Sequence, residues 1–300
     1  MMNILGKIAA ASSTTNGGAK INSSTLHIFN KTFEHASVEN LILEGCSITK
    51  IADQSNITNC KTKNSSLVDA SCNGTTIKLC QTDNGRIVKN SADATNIARC
   101  QVTNAIPAIA ISVKKSVISD CVSVYLKNQT SDNATGLLVK QIISDSLVSR
   151  CFGTGILKLD SGTSFGGIAY VCRESTIENS AVGRLNTVCD APINQKRIVY
   201  EKDAGSKLLN NIAPANLPGQ DDPNGLDGKS IADARFSQRY FEVNLEWDFE
   251  NVWQWDTTND RPALRFDQGL AQTATNNSST GSDKKMMDLL SSQVRANVWI

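Results

Sequence analysis

The sequence predicts an all-β chain wound into a right-handed parallel β-helix, a solenoid closed by an aromatic-rich C-terminal cap and followed by a short C-terminal helix. Three observations predict it. Cysteine recurs in a fixed frame at steps near 20 and 30 residues. The segments between are rich in Ser, Thr, Asn and β-branched residues, which favour short strands and polar turns over helices. Half of the 16 aromatic residues fall between residues 236 and 266.

The frame is read from the segments that end in cysteine. Leu43-Glu44-Gly45-Cys46, Ile57-Thr58-Asn59-Cys60, Ile77-Lys78-Leu79-Cys80, Ile97-Ala98-Arg99-Cys100, Ile118-Ser119-Asp120-Cys121 and Val148-Ser149-Arg150-Cys151 share one spacing, and Ile177-Glu178-Asn179-Ser180 continues it. The steps are 14, 20, 20, 21 and 30 residues, with 29 more to Ser180. Asn64, Asn84 and Asn104 repeat at 20, while Gly136 and Gly153 return 30 residues later as Gly166 and Gly183. In a β-solenoid each position stands above its equivalent in the coil below, about 4.8 Å away. Cys46, Cys60, Cys80, Cys100, Cys121, Cys151 and Ser180 are thus expected to form one inward structural ladder. Cysteine suits it as a small, readily buried hydrophobe. Asn64, Asn84 and Asn104 are expected to stack at a turn, where Asn tolerates left-handed backbone.

Other classes are disfavoured. Lys plus Arg number 30 against 29 Asp plus Glu, so the charge balance gives no reason to expect nucleic acid. No run of 18 apolar residues occurs, so no membrane span is expected. The nine cysteines include no C-x-x-C pair and no zinc spacing, and neither metal nor cofactor is expected. The opening MMNILGKIAAA is short and broken for a signal peptide. The expectation is a chain that stays cytosolic, leaves by a signal-independent apparatus to the surface or medium, or belongs to a particle.

Phe165-Gly166-Gly167-Ile168-Ala169-Tyr170, followed by Ser175-Thr176-Ile177-Glu178-Asn179-Ser180-Ala181-Val182-Gly183, resembles the GLUG motif of bacterial surface proteins. Ala169 and Tyr170 stand where that motif usually has Val and Gly. Gly136-Leu137-Leu138-Val139 begins a weaker copy. The resemblance continues through Arg197-Ile198, Asn210-Asn211-Ile212-Ala213, Asp227-Gly228, Trp247-Asp248-Phe249-Glu250-Asn251-Val252-Trp253 and Pro262-Ala263-Leu264. It covers roughly residues 136–266. It implies a β-helical stalk of an adhesin-like or secreted protein and supplies no catalytic set.

Four regions are expected: an N-terminal cap over 1–35, with Leu26 to Phe33 as a covering strand; the β-helix over 36–190; a connector and aromatic-rich cap over 191–266; and a flexible tether with a docking tail over 267–300. The Pro- and Gly-bearing stretch 190–230 reads as irregular. Trp247, Phe249, Trp253 and Trp255 are expected to seal the open solenoid end, which would otherwise expose unpaired backbone. A sugar-binding platform is the other reading of these rings. Asp283 N-caps a predicted helix whose apolar face holds Met286, Met287, Leu289, Leu290 and Val294; with Trp299 it forms a candidate docking tail, for a partner or for the solenoid itself.

Catalytic signals are weak. His27 and His35 stand beside no activating motif. Asp120, Asp145, Arg150 and Glu178 lie near the repeat frame and could neighbour one another across rungs, as a carbohydrate-active β-helix requires. Asp221 to Gly228 is oxygen-rich but lacks the bidentate Glu of an EF-hand, so a turn is expected. The reading is a non-enzymatic module that binds a protein or glycan on its solenoid face, with a homo-oligomer as a further possibility. The rivals are a structural piece of a phage tail or injection particle, favoured by trimerisation, and a polysaccharide lyase or glycoside hydrolase.

Overall fold

The computed structural model describes residues 6–7, 27–29, 32–126, 134–158, 163–188, 194–232 and 236–266. Cys189 and the candidate tail, with Met286, Met287, Leu290, Val294 and Trp299, lie outside the described residues.

The chain is a parallel β-helix. Three sheets make its faces. The first has ten strands, from Gly6–Lys7 to Lys229–Ile231; the second has eight, from Thr32–Glu34 to Val199–Lys202; the third has eight, from Ser37–Glu39 to Lys207–Leu209. One coil shows the course: Ser91–Asp93 in the second sheet, Asn96–Ala98 in the third, Gln101–Thr103 in the first. Each strand pairs in parallel with its equivalent one coil on, as Gln81, Gln101 and Val122 do.

The corners follow a five-residue beat. In this coil Ala94, Arg99 and Asn104 take positive φ of 46°, 54° and 62°; one coil earlier Gly74, Leu79 and Asn84 do the same. A left-handed corner costs a non-glycine residue about 1 kcal/mol. The cost is offset because the corner turns the next side chain inward, where it serves the backbone. After the first corner stand Ser55, Thr75, Thr95, Ser116, Ser146, Ser175 and Ser206, all buried. Thr95 Oγ1 donates to its own coil's Asp93 carbonyl at 2.8 Å, and Ser116 Oγ accepts from Thr95 N–H at 3.0 Å. Each hydroxyl thus ties two coils and satisfies a buried donor.

The second corner carries the thiols. Cys60, Cys80, Cys100, Cys121 and Cys151 are fully buried, and Ser180 continues the column. Cys80 Sγ donates to the Lys78 carbonyl at 3.2 Å and Cys100 Sγ to that of Ala98 at 3.4 Å. Ser180 Oγ makes the same bond to Glu178 at 2.9 Å, which explains why Ser replaces Cys there. Asn211 tops the column and donates to the Ile177 carbonyl at 2.9 Å. Burial raises the Cys80 and Cys121 thiols well above their ordinary range and pushes Cys172 up to about 11, so these are inert thiols.

Cys46 departs from the expected ladder. Glu44 pairs with Lys63 and Ile42 with Lys61, so Leu41 lies below Cys60 and Cys46 lies below Ser65, at the third corner. The 14-residue step was the sign: it is shorter than a coil. Cys72 and Cys172 belong to the second sheet, aligned with Ala52, Ala92, Val113 and Ile142. The external Asn column forms in part: Asn84 donates to Asn64 at 3.0 Å, while Asn104 turns to Asp83 at 3.1 Å.

Coils of about 30 residues add a fourth sheet of Ala134–Gly136, Ser164–Gly166 and Asn194–Lys196. A Cβ on Gly136 or Gly166 would stand 2.4 or 1.9 Å from the carbonyl oxygen three residues on, which accounts for that 30-residue glycine repeat. Gly153 and Gly183 are not equivalent: Gly153 pairs with Val182 and Gly155 with Leu185, so Gly183 and Arg184 together oppose Thr154 in a β-bulge.

The stretch expected as an irregular connector continues the stack instead. Val199–Lys202, Lys207–Leu209 and Ile212–Pro214 are further rungs, and Lys229–Ile231 adds one more strand. The segment between closes the upper end. The Leu226 carbonyl accepts from Ile198 and Val199 N–H at 3.0 and 3.1 Å, taking the place of a next coil. Buried Arg197 bonds the carbonyls of Gln220, Gly228 and Pro214, and Asp227 accepts from Arg197 N–H at 3.0 Å. Asp221 to Gly228 is a turn, as expected, with Gly225 N–H bonded to the Asp222 carbonyl. At the other end Thr32–Glu34 and Ser37–Glu39 open the second and third sheets, and His27 bridges to Ser47. Ile28 and Phe29 N–H donate to the Ser47 and Ile48 carbonyls at 3.1 and 2.9 Å and both residues pack against the core, while Leu26, Asn30 and Lys31 of the expected covering strand lie outside the described residues.

Ile97→Ala is expected to lower stability by about 3 kcal/mol, the cost of a cavity in a column that cannot collapse. Cys100→Ser is expected to cost less than about 1.5 kcal/mol, because serine keeps the corner bond as Ser180 does. Urea unfolding of the two variants checks both; a larger loss for serine than for alanine would contradict the corner assignment.

Candidate functional site

The aromatic segment does not sit over the solenoid end. It runs down one side as a strap, along the second corner of five successive coils. Asn210 Nδ2 donates to the Asn244 carbonyl, Trp247 Nε1 to the Asn179 carbonyl at 2.7 Å, Trp253 Nε1 to Asp120 at 3.3 Å, and Arg99 to the Asn251 carbonyl at 3.0 Å. From Asn244 to Asn251 the contacts descend the stack, from the Asn210 coil to that of Arg99, and Trp253 then returns one coil up to Asp120. The reason lies in the outer face of the first sheet. Its outward positions are polar in the lower coils, for example Gln81 and Gln101, but become Val122, Val124, Phe152, Ala181 and Ile212 above, all buried. An apolar sheet face must be covered.

The strap begins with the helix Gln238–Leu245, an element that its sparse apolar pattern does not predict. Its apolar residues are few, Phe241 and Leu245 being the buried ones. It ends at Glu246 in left-handed backbone. Phe241 packs edge-on to Phe236 at 5.0 Å and to Trp247 at 4.7 Å, while Trp247 stacks on Trp253 at 4.1 Å. Phe249 and Trp255 lie at 6.4 Å from each other. A hairpin of Trp253–Asp256 and Arg261–Leu264 finishes the strap, held by Arg265 to the carbonyls of Trp253 and Phe249. Trp247, Phe249 and Trp253 are buried and only Trp255 keeps partial exposure, so the rings cover a face rather than offer a broad platform.

The carboxylates separate into two roles. Asp120 is buried, forms a two-point pair with Arg150 at 2.8 and 2.9 Å, and accepts from Trp253. It anchors the strap, with both of its oxygens engaged by Arg150 and one also by Trp253. Glu178 interacts electrostatically with Arg150, as the cross-rung expectation has it, and with Asp145 also lines a shallow groove on the outer face of the third sheet beside Leu147, Glu174, Lys207 and Leu209. His27 bonds Asp69 at 3.3 Å. Among the described residues no group of three or more His, Cys, Asp or Glu is arranged to hold a metal ion, and no helix is long and apolar enough to cross a membrane.

The third sheet is the open, regular surface. Asn56, Thr76, Asn96, Val117, Leu147, Thr176 and Lys207 form one outward column, and Thr58, Lys78, Ala98, Ser119, Ser149, Glu178 and Leu209 the other. Val117 and Leu209 are each 40% exposed.

Trp253→Ala removes the stacked centre of the strap and its bond to Asp120. Cleavage of residues 236–266 by dilute protease is expected to accelerate at least tenfold while the coils stay resistant. Acid is expected to act on the same segment. Bonds from Asn251 hold Asp248, and bonds from Asn259 hold Asp256, below the ordinary carboxylate range. A depressed carboxylate stabilises the fold above its unfolded pKa, about 4, and that contribution is lost as pH falls through the folded value. Tryptophan fluorescence is therefore expected to change below about pH 4, before the circular dichroism of the sheets.

No family model matches the chain, and comparisons with curated proteins and with solved structures give no match, so its relationships rest on the residues and geometry described above.

Proposed function

We propose that the chain is a non-enzymatic binding module, adhesin-like in character, that engages a protein or glycan through the outer face of its third sheet. The observation that carries this reading is the asymmetry of the column. The first sheet's upper face is covered by the chain's own strap, whereas among the described residues the third sheet leaves its outward column from Asn56 to Lys207 and the groove at Leu147, Thr176 and Leu209 uncovered, with only Ser149 of the second column buried. Rigid rows about 4.8 Å apart suit an extended ligand. Exposed Val and Leu set among Thr, Asn and Lys supply apolar contact with polar selectivity. Use of Asp120 as a strap anchor supports the non-enzymatic reading, since it removes the most enclosed carboxylate from the candidate set. The GLUG-like residues point to the same class.

The test is binding of the purified chain to arrayed glycans and immobilised extracellular-matrix proteins. Placing arginine at Val117 and Thr176 is expected to weaken binding at least tenfold, and arginine at Ser91 on the second sheet to leave it unchanged. Equal binding by all variants would move the site elsewhere. Polysaccharide cleavage abolished by Asp145→Asn or Glu178→Gln would replace the reading with an enzymatic one.

A further inference from the structure

Among the described residues of its upper half the solenoid keeps its register except at one place, and that place opens on a cavity. Gly183 and Arg184 oppose the single residue Thr154. Bulges re-aim side chains and gather beside functional sites. This one is built in: Thr154 Oγ1 donates to the bulged Arg184 carbonyl at 2.7 Å, and a Cβ on Gly183 would stand 2.5 Å from the Phe152 ring. The bulge places Arg184 on the rim of a cavity of about 120 Å³ between the first sheet and the tip of the strap hairpin.

The lining divides by chemistry. Phe152 forms the floor and Phe236 a wall, with ring centroids 6.3 Å apart. Asn259 and Asp260 come from the hairpin tip, where Asp260 is held in left-handed backbone and accepts from Trp255 Nε1 at 3.2 Å. Arg261 also lines the cavity, but its charge is already met by Asp256 at 3.7 Å. The Arg184 guanidinium makes no hydrogen bond or ion pair among the described residues. The cavity thus offers one uncommitted planar cation, aromatic carbon surface, and amide and carboxylate oxygens that accept from hydroxyls.

We propose that this cavity binds the carboxylate end of a sugar acid. A guanidinium fork matches a carboxylate in two-point geometry. The C–H face of a pyranose ring suits Phe152 and Phe236, and Asp260 and Asn259 meet ring hydroxyls. The site is separate from the third-sheet face and stands or falls independently of the binding reading given above.

Calorimetric titration of the full chain with D-glucuronate tests it, with D-glucose and inorganic phosphate as controls and Trp255 fluorescence as a second readout. Saturable glucuronate binding is expected, with both controls at least tenfold weaker. Arg184→Met is expected to weaken it at least tenfold while leaving the circular dichroism and the protease resistance of the strap unchanged. Absence of saturation, equal binding of glucose or phosphate, or undiminished binding by Arg184→Met would overturn the assignment.

Discussion

Every part of this molecule answers to one constraint: each coil must lie in register on the coil below. The backbone groups of a parallel strand find partners only there, and a one-residue slip would turn the inward side chains outward. The left-handed corners make the register possible. They recur every five residues, as at Ala94, Arg99 and Asn104, so each short strand presents one inward residue and each corner one more. That is why the interior reads as columns: Ile57, Ile77, Ile97, Ile118, Val148 and Ile177 on one sheet, thiols beside them, hydroxyls at the next corner. The thiol and hydroxyl columns do similar work with different strength. Serine donates at 2.9 Å where cysteine manages 3.2–3.4 Å, and the wider sulfur fills more of the core.

A stack of this kind is vulnerable where it stops. The upper end is managed in two ways. Leu226 and its neighbours supply the acceptors and apolar cover that a further coil would provide, with Arg197 and Asp227 fixing the loop. At the remaining edge Lys202 occupies the inward position filled by Cys172 one coil below, and it is exposed. A charge at that position opposes the docking of another sheet edge. The strap solves a different problem, the apolar outer face of the first sheet, and its anchors come from corner residues whose left-handed backbone points them away from the core.

These arrangements leave the column two-sided in a functional sense. One face is committed to the chain itself. The other faces present repeated polar rows, and the upper part of the third sheet adds exposed aliphatic residues and a groove. The bulge at Gly183 and Arg184 marks the seam between strap and sheet, where register is given up and, among the described residues, the Arg184 cation is left unmatched.

The sequence by itself determined the parallel β-helix, the coil length, the thiol column from Cys60 to Ser180 and the presence of an aromatic cover, because coil-on-coil register is written as a local spacing of about 20 or 30 residues. Even the departures left traces: the 14-residue step to Cys60 separates Cys46 from the column, and the mismatch between a 29-residue step to Ser180 and a 30-residue step to Gly183 marks the bulge. The tertiary structure alone decided that residues 194–231 add rungs and close the end, that a short helix opens the strap, and that Trp247 and Trp253 lie along the flank rather than over the tip. Those outcomes depend on contacts such as Trp253 with Asp120 and Arg99 with Asn251, which join residues 133 and 152 positions apart. No local period encodes such a separation, because the partner is chosen by which face of the finished column remains apolar.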